Sequence, residues 1–338
     1  MTTSSFPLLK LPQKSILTFL GCLNPLEQLT ISFCSKLTLK LVKSLKVPVK
    51  TMALSAGNIF KINCYFSNRT MILIEFHGLS FLDESEKKNL TNFKDHIRVV
   101  FKIITSPEVQ EVCNLQEKNY GVRDYIDHFL SVFNHRFELE ILSDYFQIDS
   151  IQDTLKGLNI NRLKVEPEVP KAYFQQLMKG LGPFETLTAG NNSLEEPEDG
   201  VFLCGNYHFL ELNVLVTLDQ LLVANSTQSL AMFGLLSDES LNRFVKFWIS
   251  GSHRRLRYVH FFDHTENGIL NVNEIMKGIR NKPMVPDDVR RFKVGIDNYR
   301  EYIEGKHGFD IRRKDGVKAT VMCSSDMGLN RFFLFVWP

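Results

Sequence analysis

Three helix-start signals crowd into residues 6–47, and few folds accommodate that. Leu11-Pro12 puts proline in a first helical turn, where its missing N–H costs nothing, ahead of Ile16, Leu17 and Leu20. Asn24-Pro25 repeats the signal as N-cap and first helical residue before Leu26, Leu29 and Ile31. Ser35 caps a third run, with Leu37, Leu41 and Val42 on one face. The spacing predicts three short amphipathic helices. So few residues can hardly shield that much aliphatic surface alone, so the helices need a partner or a docked domain.

Charge divides the chain the same way. Residues 1–50 hold seven lysines (10, 14, 36, 40, 43, 46 and 50) and one acid, Glu27, a net charge of +6. The whole chain is +2, which leaves residues 51–338 at −4. A basic module with apolar faces suits an acidic protein partner, because complementary potentials steer docking. Composition is that of a folded chain, with 44% hydrophobic residues and 27 Phe to fill a core. No run of 18 apolar residues and no basic leader is readable, so neither a membrane span nor a secretory signal is expected. Six scattered cysteines (22, 34, 64, 113, 204 and 323) without a C-x-x-C pair fit reduced thiols and a cytoplasmic or nuclear location.

Beyond the helices, residues 58–77 alternate as a β-hairpin around Ser67-Asn68-Arg69, and 83–95 read as a polar loop or helix start. Segment 96–118 is ambiguous by periodicity. From about residue 120 apolar pairs recur: Leu139-x-Ile141, Leu163-x-Val165, Leu187-x-Ala189, Leu210-x-Leu212, Leu230-x-Met232 and Leu256-x-Tyr258. Their leading leucines are 24, 24, 23, 20 and 26 residues apart, with helical patterns between several of them. The clearest of these is Leu241, Phe244, Val245, Trp248 and Ile249, opened by Ser237-Asp238 and closed by Gly251. A strand and a helix every 20–29 residues is leucine-rich-repeat spacing, here without the asparagine ladder. The fold class expected is therefore α/β: three N-terminal helices, a β-hairpin segment, then a degenerate leucine-rich-repeat-like array with its leucines in one core.

The N-terminal pattern resembles the F-box as found in nematode F-box families. Leu11-Pro12, the Asn24-Pro25-Leu26-Glu27 turn and Cys34-Ser35-Lys36 stand where that family has its corresponding motifs. The C-terminal part resembles the type-2 F-box-associated domain in 218–225, 236–252, 309–321 and 333–337. Phe247 stands where a His is usual, and 283–305 are less recognisable. The resemblance implies an F-box over 5–50, a linking segment over 51–119 and a body over 120–338 whose associated domain covers about 200–338. It also implies docking on a Skp-type adaptor and, through it, a cullin ligase, with an unknown protein substrate held by the body. The adaptor-binding residues would be Leu9, Leu11, Pro12, Ile16, Leu17, Leu20, Pro25, Leu26, Leu29 and Cys34. The alternative is an interaction scaffold that assembles no ligase.

No phosphate loop, nucleophile elbow or zinc signature is present. His260-Phe-Phe-Asp-His264 is the most ligand-like cluster, but a metal site needs more ligands, so no cofactor and no catalysis are expected. Two basic clusters remain, Arg254, Arg255 and Arg257, then Arg312, Arg313 and Lys314. Arg254, Arg255, Arg257, Arg312 and Arg313 are candidates for gripping an acidic substrate, against the plainer reading of solvated or paired surface charge. With the body net negative and no nucleic-acid module recognisable, nucleic acid is not an expected partner.

Overall fold

The computed structural model describes residues 10–66, 70–78, 87–92, 97–105, 108–114, 120–133, 135–190, 200–213, 217–232, 236–264, 269–285, 290–296, 300–305, 307–326 and 328–337. The chain forms two compact units, residues 1–160 and 161–338, and is a mixed α/β protein. Among the described residues no helix is long and apolar enough to cross a membrane.

The first unit opens with α1 (Gln13–Cys22), α2 (Pro25–Phe33) and α3 (Lys36–Ser44). Local chemistry sets their starts. Pro12 is the N-cap of α1, one position before the first turn, and its carbonyl accepts from the N–H of Ser15 and Ile16. Asn24 caps α2 by accepting from the N–H of Leu26 and Glu27, while Glu27 returns a carboxylate to the Asn24 N–H, a closed capping box. Ser35 and Thr38 do the same for α3.

Strands β1 (Thr51–Ala56), β2 (Phe60–Tyr65), β3 (Thr70–Gly78), β4 (Ile97–Thr105) and β5 (Glu108–Asn114) form an antiparallel meander. The hairpin read from 58–77 is β2–β3, its turn at 67–69 lying outside the described residues, as does most of 83–95. The ambiguous 96–118 is largely β4 and β5. Helix α4 (Val122–Phe133) then crosses back, so that β6 (Phe137–Ile141) runs parallel to β1, with α5 (Ile148–Leu155) after it. One face of α4, with Tyr125, Ile126 and Phe129, is fully buried.

The second unit alternates strand and helix: β7 (Ile160–Val165), α6 (Lys171–Leu181), β8 (Thr186–Ala189), α7 (Gly200–Leu203), β9 (Tyr207–Asn213), α8 (Leu218–Val223), β10 (Ser226–Met232), α9 (Asp238–Ser250) and β11 (Tyr258–His264). Neighbouring strands β7–β8, β8–β9, β9–β10 and β10–β11 are parallel, as helical crossovers require. After α10 (Val272–Ile275) come β12 (Lys282–Pro283), β13 (Arg290–Ile296), β14 (Arg300–Gly305), β15 (Phe309–Arg312), β16 (Lys318–Asp326) and β17 (Leu329–Val336). Strand β17 joins β11 antiparallel, followed outward by β16, β15 and the edge strand β12, while β13 and β14 pair only with each other.

Register corrects part of the leucine pattern. Leu163, Leu187 and Leu210 are direct register partners and buried. The next residue in that row is Ser229, opposite Leu210, so Leu230 falls one position out of step, opposite Glu211 and His260. Because strand side chains alternate faces, one residue of slip moves the leucine to the other row. Leu256 is buried but precedes β11 and lies on no strand. That other row is polar at Lys164, Thr188 and Glu211, then turns apolar where Tyr258, Met322, Phe333 and Phe335 pack together with Trp337 against them.

Candidate protein-interaction surfaces

The ten residues marked for adaptor contact divide by environment. Leu9 lies outside the described residues. Pro12 and Cys34 are exposed, Leu11, Leu17 and Pro25 are half-buried, and Ile16, Leu20, Leu26 and Leu29 are buried. Between α1 and α2 the Gln28 amide nitrogen donates to the carbonyls of both Leu20 and Leu23 at 2.9 Å. The large apolar side chains of these helices that stay in water are Phe19, 45% exposed, and Leu37, 51% exposed. Sequence reasoning passed over Phe19 because it stands off the Ile16–Leu20 stripe, and it put Leu37 on one face with Leu41 and Val42. Only Leu41 and Val42 are buried.

The helices are anchored on α4. The Phe33 ring meets His128, Tyr120 and Tyr125, and the Ser32 hydroxyl lies 2.7 Å from His128 Nε2. Burial pushes the His128 imidazole down to about 4, so it is neutral at physiological pH.

In the second unit, Ser237 and Gly251 bound α9 as their residue types imply. The Ser237 hydroxyl accepts from the Ser240 N–H, and Gly251 sits at φ +109°, in the left-handed cap that glycine adopts without a Cβ clash. Trp248 is completely buried on this helix. The β15–β16 turn closes over it: the Lys314 N–H donates to the Ile249 carbonyl, and the Arg313 guanidinium lies 5.2 Å from the Trp248 ring. Asp315 receives Arg313 through Nε at 3.0 Å and Nη2 at 2.9 Å, and that guanidinium holds its carboxyl below the ordinary aspartate range. Arg313 is 6% exposed, so most of its fork serves the fold. Arg254, Arg255, Arg257 and Arg312 are exposed, and Arg255 donates to the Asn206 side-chain oxygen at 2.7 Å.

Arg312 belongs to a different neighbourhood from the 254–257 cluster. A groove of about 740 Å³ is lined by Arg280, Asn281, Lys282, Asp310, Ile311, Arg312, Arg313 and Lys318. The acid among its described lining residues, Asp310, is clamped by Arg290 at 2.6 and 3.1 Å and by the Thr320 hydroxyl at 2.7 Å. Burial alone would raise this carboxyl, but the Arg290 and Thr320 hydrogen bonds outweigh it and hold the group low.

Nothing among the described residues assembles a catalytic nucleophile. Burial pushes the Cys64 thiol far up, and burial with nearby Asp238 pushes Cys323 up to about 12, so both remain protonated and weakly nucleophilic. His253 is pushed down by burial, although its Nε2–H donates to the Leu221 carbonyl. His260 stacks on Phe333 at 4.3 Å, and the described residues contain no group of three or more His, Cys, Asp or Glu placed to hold a metal.

A family model described as F-box associated matches residues 201–261, the stretch that contains β9, α8, β10, α9 and most of β11. Over that stretch the chain is similar to F-box-associated domains. The F-box associated domain-containing protein sdz-33 of Caenorhabditis elegans is 25% identical over 332 residues, covering 95% of each chain. No solved structure matches. The matched segment includes buried Trp248 and exposed Arg254 and Arg255, and it stops short of the groove at Arg280–Lys318. Neither match indicates an enzymatic family.

Proposed function

We propose that this chain is a non-catalytic substrate receptor of a Skp/cullin ubiquitin ligase. Its N-terminal helices dock on a Skp-type adaptor, and its C-terminal body binds the protein to be ubiquitinated. The observation that carries this reading is the coexistence, in one chain, of a three-helix module, with α2 and α3 closed by capping boxes, and a segment that matches the F-box-associated family model. The module's charge of +6 and its exposed Phe19 and Leu37 are the features an acidic, partly apolar partner would grip. Because Ile16, Leu20, Leu26 and Leu29 are buried, contact runs through Leu11, Pro12, Leu17, Phe19, Cys34 and Leu37. The receptor's work is proximity: it holds a target lysine near the conjugating enzyme and so makes transfer nearly intramolecular.

A scaffold that binds proteins without joining a ligase is the second reading. The burial of those four apolar residues favours it, since they are already covered within the chain. Affinity capture with full-length chain and with a Phe19→Asp/Leu37→Asp variant separates the two. The receptor reading expects the variant to lose adaptor and cullin while keeping its other partners. A wild-type chain that captures neither adaptor nor cullin leaves the scaffold.

A further inference from the structure

The cations of the Arg280–Lys318 groove are arranged against their own interest. Arg312 on β15 and Lys318 on β16 are direct register partners across the antiparallel pair. Like charges directly opposite one another destabilise a sheet pair. Both side chains are exposed, and neither has a hydrogen bond or ion pair among the described residues. Arg280 is likewise exposed and unpaired, and Lys282 projects from the two-residue edge strand β12.

Beneath them lies Arg313, whose Nη1 is buried without a hydrogen-bond partner while Nε and Nη2 are held by Asp315. The guanidinium lies over the Trp248 ring, so Arg313 adds positive charge beneath the groove and leaves contact to the exposed cations. Asp310, the one acid among the described lining residues, is already neutralised by Arg290. Among those residues four exposed cations, with Arg313 paired to Asp315 beside them, therefore meet one compensated carboxylate.

We propose that this groove binds an acidic, extended peptide segment of the target protein, with Arg280, Lys282, Arg312 and Lys318 pairing with its carboxylates. The proposal rests on the receptor reading and assigns its substrate class. The groove's extent over β12, β15 and β16 suits several residues of chain rather than one small anion. A long polyanion such as nucleic acid is the poorer occupant: residues 161–338 as a whole carry no net charge, so a phosphate backbone would find no sustained excess of cations beyond the groove.

The test uses the purified full-length chain and fluorescence polarisation. The probes are a labelled ten-residue peptide of alternating Glu and Ser, the same peptide with Gln for Glu, and a single-stranded oligonucleotide of equal charge. The Glu peptide should bind, weaken as salt rises, and lose at least tenfold in affinity with Arg312→Glu/Lys318→Glu. A Lys179→Glu/Arg243→Glu variant, with the same change in net charge at exposed sites on α6 and α9, should bind as wild type does. Thermal melts establish that both variants fold. No binding of the Glu peptide, equal binding of the Gln peptide, equal loss in both variants, or tighter binding of the oligonucleotide overturns the assignment. Adaptor capture, run on the same samples, keeps the two readings apart. Peptide binding without adaptor capture sinks the receptor and leaves the groove; adaptor capture without peptide binding sinks the groove alone.

Discussion

The imidazole of His128 lies flat against the ring of Phe33, with centroids 3.8 Å apart and planes 12° from parallel. The Ser32 hydroxyl, which donates to the Leu29 carbonyl, lies 2.7 Å from His128 Nε2. Burial between α2 and α4 disfavours the charged imidazole, and that makes the contact acid-sensitive.

Stability should therefore fall as pH drops. His128 binds its proton near 6.5 when unfolded and only near 4 when folded, so between those values the unfolded state holds more protons. The contribution is fully present above 6.5 and is lost progressively toward 4. Melting temperatures measured from pH 7.5 to 4.5 should decline, and His128→Phe, which keeps an aromatic pair, should flatten the decline. It will not abolish it, because His253 is depressed in the same direction. An unchanged slope in the variant would exclude His128 as a source.

Trp248→Ala should be the most damaging single truncation in the second unit. It empties a fully buried site and removes the aromatic face beneath Arg313. Large-to-small changes of this kind cost about 3–5 kcal/mol. Urea denaturation should show that loss, whereas Trp248→Phe should cost less and retain the stacking. A variant as stable as wild type would mean that Trp248 packs nothing.

The start of α2 offers a smaller, cleaner test. Asn24→Ala breaks the capping box with Glu27 and should cost about 0.5–2 kcal/mol. Gln28→Ala leaves the carbonyls of Leu20 and Leu23 without their buried donor, for about 1–3 kcal/mol. Hydrogen exchange should show both losses as faster opening at residues 13–33. Protection equal to wild type would contradict the capping and amide contacts described.

These elements show what local sequence carries. Asn24-Pro25, Ser35 and the Ser237…Gly251 bracket act within one helical turn, so the chain announces its helix starts without help. The hairpins at β2–β3 and β15–β16 are equally local. Leu230 failed because register is decided by the neighbouring strands, and a 20-residue spacing cannot reveal a slip of one. Ile16 and Leu37 illustrate a second limit. An amphipathic pattern names an apolar face, but whether the protein's own helices or water cover it depends on packing distant in sequence, as with Phe33 on His128. Arg313 illustrates a third, since its partners Trp248 and Asp315 belong to a helix and a turn that only the fold brings together.

Reconstitution from purified components tests the receptor account most directly. The full-length chain, a Skp-type adaptor and a cullin are mixed and resolved by size-exclusion chromatography with light scattering. A receptor should co-elute as a complex with one copy of each, and Phe19→Asp/Leu37→Asp should return the chain to its own elution position with its melting temperature unchanged. Wild-type chain that elutes alone, at micromolar concentration and low salt, would contradict it.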